Sequence, residues 1–190
     1  MNPLDLAKKW LNEYKALGIY EPEAAVLSTY SGHEVSSRVV LIRIINHRGF
    51  IFFTNLNSKK ATEIQHNPCV ALNFYFREQC RQIIIQGKAE MLDENIADEY
   101  FAQRSREKQI SAWASLQSQV MLHEDDFTSR LQNAASRFAN KTIPRPEFWS
   151  GYIIIPHSFE FWKEGVARRH ERSCYKKTHD DKWTNYRLYP

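Results

Sequence analysis

Short apolar runs broken by turn signals recur along this chain, and their spacing restricts the fold more than any other feature. Ala24 to Tyr30 is apolar and ends at Ser31-Gly32-His33. Ser37 to Asn46, rich in Val and Ile, reads as a strand buried on both faces. His47-Arg48-Gly49 turns the chain into Phe50 to Asn55, and Cys69 to Phe76 and Arg81 to Leu92 follow. A last strand pair spans Tyr152 to Trp162 and Cys174 to Tyr189. Helical patterns are inserted among these runs. Pro3 to Leu17 carries Leu4, Ala7, Trp10, Leu11 and Tyr14 largely at helical spacing, with Gly18 placed to end it. Asn57 to His66 stops at Asn67-Pro68, and Asp93 to Ala114 and Glu124 to Asn140 complete the set. Strands this closely spaced predict an antiparallel barrel with helical additions, a mainly β α+β fold, rather than a parallel α/β sheet.

Composition narrows the class. The 190 residues fit one domain, and 43% hydrophobic with 13% aromatic residues is enough for a real core. A formal charge of +4 suits small anions as readily as nucleic acid, and no RNA-binding motif is present. Cys69, Cys80 and Cys174 form no CxxC pair, so neither a metal site nor a disulfide framework is expected. With no signal-peptide pattern and no apolar run long enough for a bilayer, a reduced cytoplasmic protein that leaves membranes alone is the expectation. There is no GxSxG, no HExxH and no carboxylate pair at useful spacing, which argues against a hydrolase.

Four segments concentrate cations. Arg168, His170 and Arg172 alternate after a strand that carries Trp162. In an extended segment they share one face, where they repel one another unless an anion sits among them. Cations beside an indole suit a ligand that is both phosphorylated and aromatic. The competing reading is a solvated basic edge strand. Arg38 and Arg43 flank a strand and must reach its ends or an anion. Thr54-Asn55-Leu56-Asn57-Ser58-Lys59-Lys60 runs from a strand into a helix start, where amides, a hydroxyl and two lysines can hold a phosphate. Ser58 has the competing role of an ordinary N-cap. Tyr100, Arg104 and Lys108, at i, i+4 and i+8, share a helix face that suits a second phosphate unless it is merely solvated. Gln82, Gln117 and Ser118 are polar groups able to meet a heterocycle edge.

Taken in order, these motifs resemble the pyridoxamine 5′-phosphate oxidase family. The resemblance rests on Arg38-Val-Val-Leu41, Phe53-Thr-Asn-Leu-Asn-Ser58-Lys-Lys60, Arg81-Gln82, Tyr100-Phe-x-x-Arg104, Gln117-Ser118, Phe161-Trp162 and Arg168-x-His170-Glu-Arg172. It implies a split β-barrel carrying FMN. It assigns the cofactor to Arg38, Val39, Val40, Leu41, Arg43, Phe53, Thr54, Ser58, Lys59, Lys60 and Gln82. Gln117, Ser118, Trp162 and Arg172 would come from the second subunit of a homodimer. The substrate, a small phosphorylated pyridine, would meet Arg43, Tyr100, Arg104 and Lys108, with Arg168 and His170 over its ring as the catalytic pair. O2 would be the acceptor and H2O2 a product. The chain departs from the family pattern at Arg43 (usually lysine), Lys108 (usually serine), Phe53 (commonly tyrosine) and Arg169 (usually aliphatic). The flavin oxidases of phenazine biosynthesis share a similar Arg-x-His-Glu-Arg segment, and a non-catalytic FMN- or pyridoxal-phosphate-binding protein would use the same residues.

Overall fold

The computed structural model describes residues 2–190. Its strands are β1 (Ala24–Tyr30), β2 (Val35–Leu41), β3 (Ile44–Ile45), β4 (Phe50–Asn55), β5 (Cys69–Phe76), β6 (Arg81–Met91), β7 (Trp149–Lys163), β8 (Glu171–Lys177) and β9 (Trp183–Arg187). They form one sheet in the order β2-β1-β5-β6-β7-β4-β3, with β8 and β9 branching from β7. Every pairing is antiparallel. The fork lies on β7. Its first half pairs with β4 and its second half with β8, while β6 runs along its other edge. That fork makes the curled sheet a split barrel. Pro156 falls inside β7, where it has no N–H to offer. The register shift opposite it, between Gln86 and Gly87, accommodates this.

Phe50, Phe52, Leu72, Phe74, Ile83, Ile85, Ile154 and Phe159 fill the curl and are essentially inaccessible. Helix α1 (Pro3–Lys15) lies against this core. It buries Leu4, Ala7 and Tyr14 and sets Trp10 edge-on to Phe161 at 5.2 Å. Gly18 follows with φ of 71°, the left-handed turn expected at the helix end. Helix α2 (Lys59–His66) packs near β1. Helices α3 (Glu94–Ala102), α4 (Arg106–Ala114) and α5 (Asp126–Arg137) gather around a second core of Phe101, Ala112, Phe138, Ile143 and Trp149. Among the described residues, no helix is long and apolar enough to cross a membrane.

Four expectations are corrected. The run from Ser37 to Asn46 is not one doubly buried strand. It breaks between β2 and β3, and β2 ends the sheet path, with Val35 and Val39 exposed on the face that nothing among the described residues covers. Asp93 to Ala114 is two helices, interrupted at Gln103 to Ser105, where Ser105 is extended as the N-cap of α4. The C-terminal strand is likewise two, β8 and β9, turned at Thr178 to Lys182. Finally, Arg168 to Arg172 is not an extended face. Residues 164–170 close the hairpin between β7 and β8, with Ala167 and Arg168 at positive φ (54° and 62°), so only Arg172 lies on a strand.

Candidate functional site

A cavity of about 690 Å³ opens between the end of β4, strand β2 and the α3–α4 junction. It has two cationic poles. The first is built where β4 enters α2. Thr54 and Ser58 are buried, and Lys60 Nζ lies 3.2 Å from Thr54 Oγ1, 3.3 Å from Ser58 Oγ and 3.3 Å from Gln117 Oε1. Ser58 occupies the N-cap position of α2, but its side chain makes no capping bond, so the hydroxyl is free for the Lys60 cluster. No carboxylate offsets Lys60. Burial, reinforced by the nearby Arg38 cation, pushes its ammonium down to about 8. Arg38 is turned inward. It donates to the Leu27 carbonyl, to Thr29 Oγ1 (2.5 Å), to Ser36 and to Glu63 Oε2 (3.2 Å). Lys59, largely exposed, lies 3.9 Å from the other oxygen of Glu63.

The second pole comes from the α3–α4 junction. Tyr100, Arg104 and Lys108 all line the cavity, as does Arg43. One continuous helix face does not bring them together, as their spacing predicted. The helix break at Gln103 to Ser105 does so instead. The Arg104 guanidinium lies 4.7 Å from the Trp149 ring centroid. Burial holds its pKa below the usual arginine range. Arg43 pushes the same way and Tyr100 opposes. Arg43 has found an anion, donating to Glu23 Oε1 at 2.6 Å. In the same lining, Phe53 stacks on Tyr100 (3.9 Å, 8° between planes) and on Trp149 (5.4 Å, 3°). Gly151 permits this wall. It pairs with Phe53, and a Cβ there would sit 2.4 Å from the Phe52 carbonyl oxygen. Val39, Val40 and Leu41 close the cavity on the β2 side.

A second group lies apart, outside this cavity. Gln82, Trp162 and Arg172 are register partners across β6, β7 and β8 and form a row on the face turned away from the core. Gln82 Nε2 donates to Asn73 Oδ1 at 2.9 Å, and Arg172 makes two bonds to Glu160, at 2.6 and 3.0 Å. The His170 ring lies 4.7 Å from the Trp162 ring, and Arg168 sits in the adjoining hairpin turn. Ser118, at positive φ, borders a shallow depression with Lys59. The resemblance groups Gln117 with Trp162 and Arg172, whereas the structure sets it beside Lys60 and Thr54 of its own chain. Three participants escaped the sequence reading as site residues: Trp149 beneath Arg104, Ser105 in the helix break, and Glu63 behind Arg38. Only Glu63 had a legible signal, its i+4 spacing from Lys59 on a predicted helix. Among the described residues, no three His, Cys, Asp or Glu side chains gather as a metal site.

Comparisons with known proteins identify relatives of this chain. Residues 11–133 match the family model described as pyridoxamine 5′-phosphate oxidase. Residues 149–190 match the pyridoxine 5′-phosphate oxidase C-terminal dimerisation region. A pyridoxine/pyridoxamine 5′-phosphate oxidase of Ehrlichia chaffeensis is 41% identical, covering all of this chain and 98% of that protein. One from Anaplasma phagocytophilum is also 41% identical, at 100% and 93% coverage. Among solved structures, PhzG from Burkholderia lata, in complex with tetrahydrophenazine-1-carboxylic acid, superposes with a TM-score of 0.93 at 31% identity over 100% of this chain and 93% of that one. A pyridoxamine 5′-phosphate oxidase-related, FMN-binding protein of Nostoc punctiforme shares the fold (TM-score 0.79, 14% identity, 100% and 99% coverage).

Proposed function

This chain belongs to the pyridoxamine 5′-phosphate oxidase family and is an oxidoreductase, and on that premise we propose that it oxidises pyridoxamine and pyridoxine 5′-phosphate to pyridoxal 5′-phosphate. The cofactor is FMN and the acceptor O2, which is reduced to H2O2. The amine substrate also consumes water and releases ammonia. The observation that carries this reading is one cavity lined by two cationic groups and by the Phe53–Tyr100–Trp149 aromatic stack. Two phosphates on two ring systems need that arrangement.

The residues fit the cofactor. Two buried hydroxyls and a carboxylate-free ammonium are a donor set for a phosphomonoester, with Arg38 and Lys59 adding charge behind it. When bound, FMN supplies the two-electron oxidising chemistry. The chain's own residues do the rest. Lys60, Thr54, Ser58 and Gln117 hold the cofactor phosphate. Arg104, Tyr100, Arg43 and Lys108 hold the substrate phosphate, and Phe53, Tyr100 and Trp149 supply an apolar surface in the same cavity. Fixing both phosphates would limit how cofactor and substrate sit relative to each other, which lowers the entropic cost of bringing them together.

The row Gln82–Trp162–Arg172, with Arg168 and His170, lies outside that cavity in its own chain. We assign it to the cavity of a second copy. The dimerisation region spans β7 to β9, and the exposed Val35 and Val39 on the edge strand await a covering surface. In that dimer, Arg168 orients the substrate ring and steadies developing charge, and His170 assists by hydrogen bonding. The phenazine-type reading is favoured by the PhzG superposition. The phosphate pole weighs against it, since a tricyclic carboxylate needs fewer cations than Arg104 and Lys108 supply even with Arg43 paired to Glu23.

Two tests follow from the cofactor pole. Heat-released flavin is expected to migrate as FMN, because the pole suits a terminal monophosphate and the sequence has no GxGxxG fingerprint. Recovery of FAD would overturn the assignment. The second test is pH dependence. Only the ammonium form of Lys60 pairs with phosphate, and its pKa in the free site is about 8. Phosphate binding raises that pKa, so FMN affinity is expected to be flat just below pH 8 and to fall above it, by up to about tenfold per pH unit. Lys60→Arg, always charged, is expected to flatten the curve. An unchanged slope in that variant would mean another group titrates.

A further inference from the structure

Glu63 has no assigned role, yet its surroundings are specific. It lies on the face of α2 turned to the sheet and is 4% exposed. Its Oε2 accepts from Thr29 Oγ1 at 2.5 Å and from Ser36 Oγ at 2.6 Å. Those same two hydroxyls accept from the Arg38 guanidinium, which also reaches Glu63 directly at 3.2 Å. Each hydroxyl therefore spends its proton on the carboxylate and its lone pair on the arginine. A buried ion pair is laced twice by side chains of β1 and β2. With the Leu27 carbonyl, this takes four of the five N–H donors of Arg38 and leaves the Nε–H. The same carboxylate lies 3.9 Å from Lys59. Lys60 alone of the three cations is left without it.

We propose that Glu63 is a positioning residue for the cofactor phosphate: it fixes Arg38 in one orientation beside Lys60 before the flavin arrives. The inference rests on the FMN reading above and deepens it. Burial alone would favour protonation of this carboxyl, but Ser36, Thr29, Arg38 and Lys59 together hold its pKa below the usual carboxylate range, so the brace persists across the working pH range.

A charge-tuning role makes the opposite prediction. A carboxylate near a phosphate site repels the phosphate, so a residue that merely tempered the field would weaken FMN binding. Its removal would then tighten it. A positioning residue loosens binding when removed, because Arg38 regains its rotamers and must be ordered again by the ligand. A packing role differs again. Glutamine keeps the shape without the charge, while aspartate keeps the charge in a shorter side chain.

The test is FMN titration of the flavin-stripped full-length protein by fluorescence quenching, well below each variant's melting temperature. Glu63→Gln is expected to raise the FMN Kd at least about tenfold, a loss of about 1.4 kcal/mol. Glu63→Asp is expected to bind more tightly than Glu63→Gln, and Ser36→Ala to raise Kd a few-fold. In an Arg38→Ala background, Glu63→Gln is expected to add little, since the two act through one contact. Equal or tighter binding by Glu63→Gln, a Gln variant better than Asp, or full additivity with Arg38→Ala would each overturn the proposal. If Glu63→Gln does not fold, Ser36→Ala decides, and an unchanged Kd there overturns it too. A wild-type protein that binds no FMN would instead sink the cofactor reading itself.

Discussion

Arg104→Ala is expected to raise KM for pyridoxamine 5′-phosphate by tenfold or more, measured with FMN saturating. A charge-assisted hydrogen bond to phosphate contributes roughly 1.5–3 kcal/mol, and each 1.4 kcal/mol is about a factor of ten. Arg104 is suited to such a bond. Its guanidinium is half-buried against Trp149 and no carboxylate among its partners competes for it, whereas the neighbouring Arg43 is already paired with Glu23. Arg104→Lys keeps the charge but loses the planar stack, so an intermediate KM is expected. FMN affinity should hold in both variants, because the proposed cofactor pole is built from other residues, Lys60, Thr54, Ser58 and Gln117. Lys108 is exposed, and Lys108→Ser is expected to cost only a few-fold. Unchanged KM in Arg104→Ala would remove the phosphate pole. So would equally efficient oxidation of unphosphorylated pyridoxamine, and a tricyclic carboxylate substrate would then move ahead.

Much of this site was legible because its chemistry is local. Thr54 to Lys60 is one strand–helix junction, and a chain that turns from β4 into α2 must present those groups together. Tyr100, Arg104 and Lys108 were also read correctly as neighbours, but for the wrong reason. Periodicity extends a helix through Gln103 to Ser105, whereas the extended backbone at Ser105 starts a new one. Side-chain spacing reports proximity and is blind to such a break. Arg168, His170 and Arg172 failed in the opposite way. Alternation implied an extended face, but antiparallel pairing of β7 with β8 forces a hairpin there, and that pairing is a tertiary fact. Glu63 was missed because a buried ion pair between a helix and two strands has no sequence period. Its partners Thr29, Ser36 and Arg38 lie 25 to 34 residues away.

The division of the site between two groups in one chain makes a sharp prediction about the dimer. Lys60 serves the cavity, and Arg172 belongs to the row on the outer face. Lys60→Ala and Arg172→Gln homodimers are each expected to have every site damaged, assayed at an FMN concentration near the wild-type Kd. Glutamine is chosen so that Glu160 keeps a hydrogen-bond donor where it now takes two bonds from Arg172. Co-expressing the two variants under different tags changes the outcome. In the mixed dimer one site receives both lesions and the other receives neither. Random pairing makes about half the dimers mixed, so about a quarter of wild-type sites should return, and about half in the doubly purified heterodimer. If one chain's cavity were completed by its own Trp162 and Arg172, every site would carry a lesion in every combination and nothing would return. Recovery therefore requires that a whole site be assembled from two chains, as proposed above for the row Gln82–Trp162–Arg172.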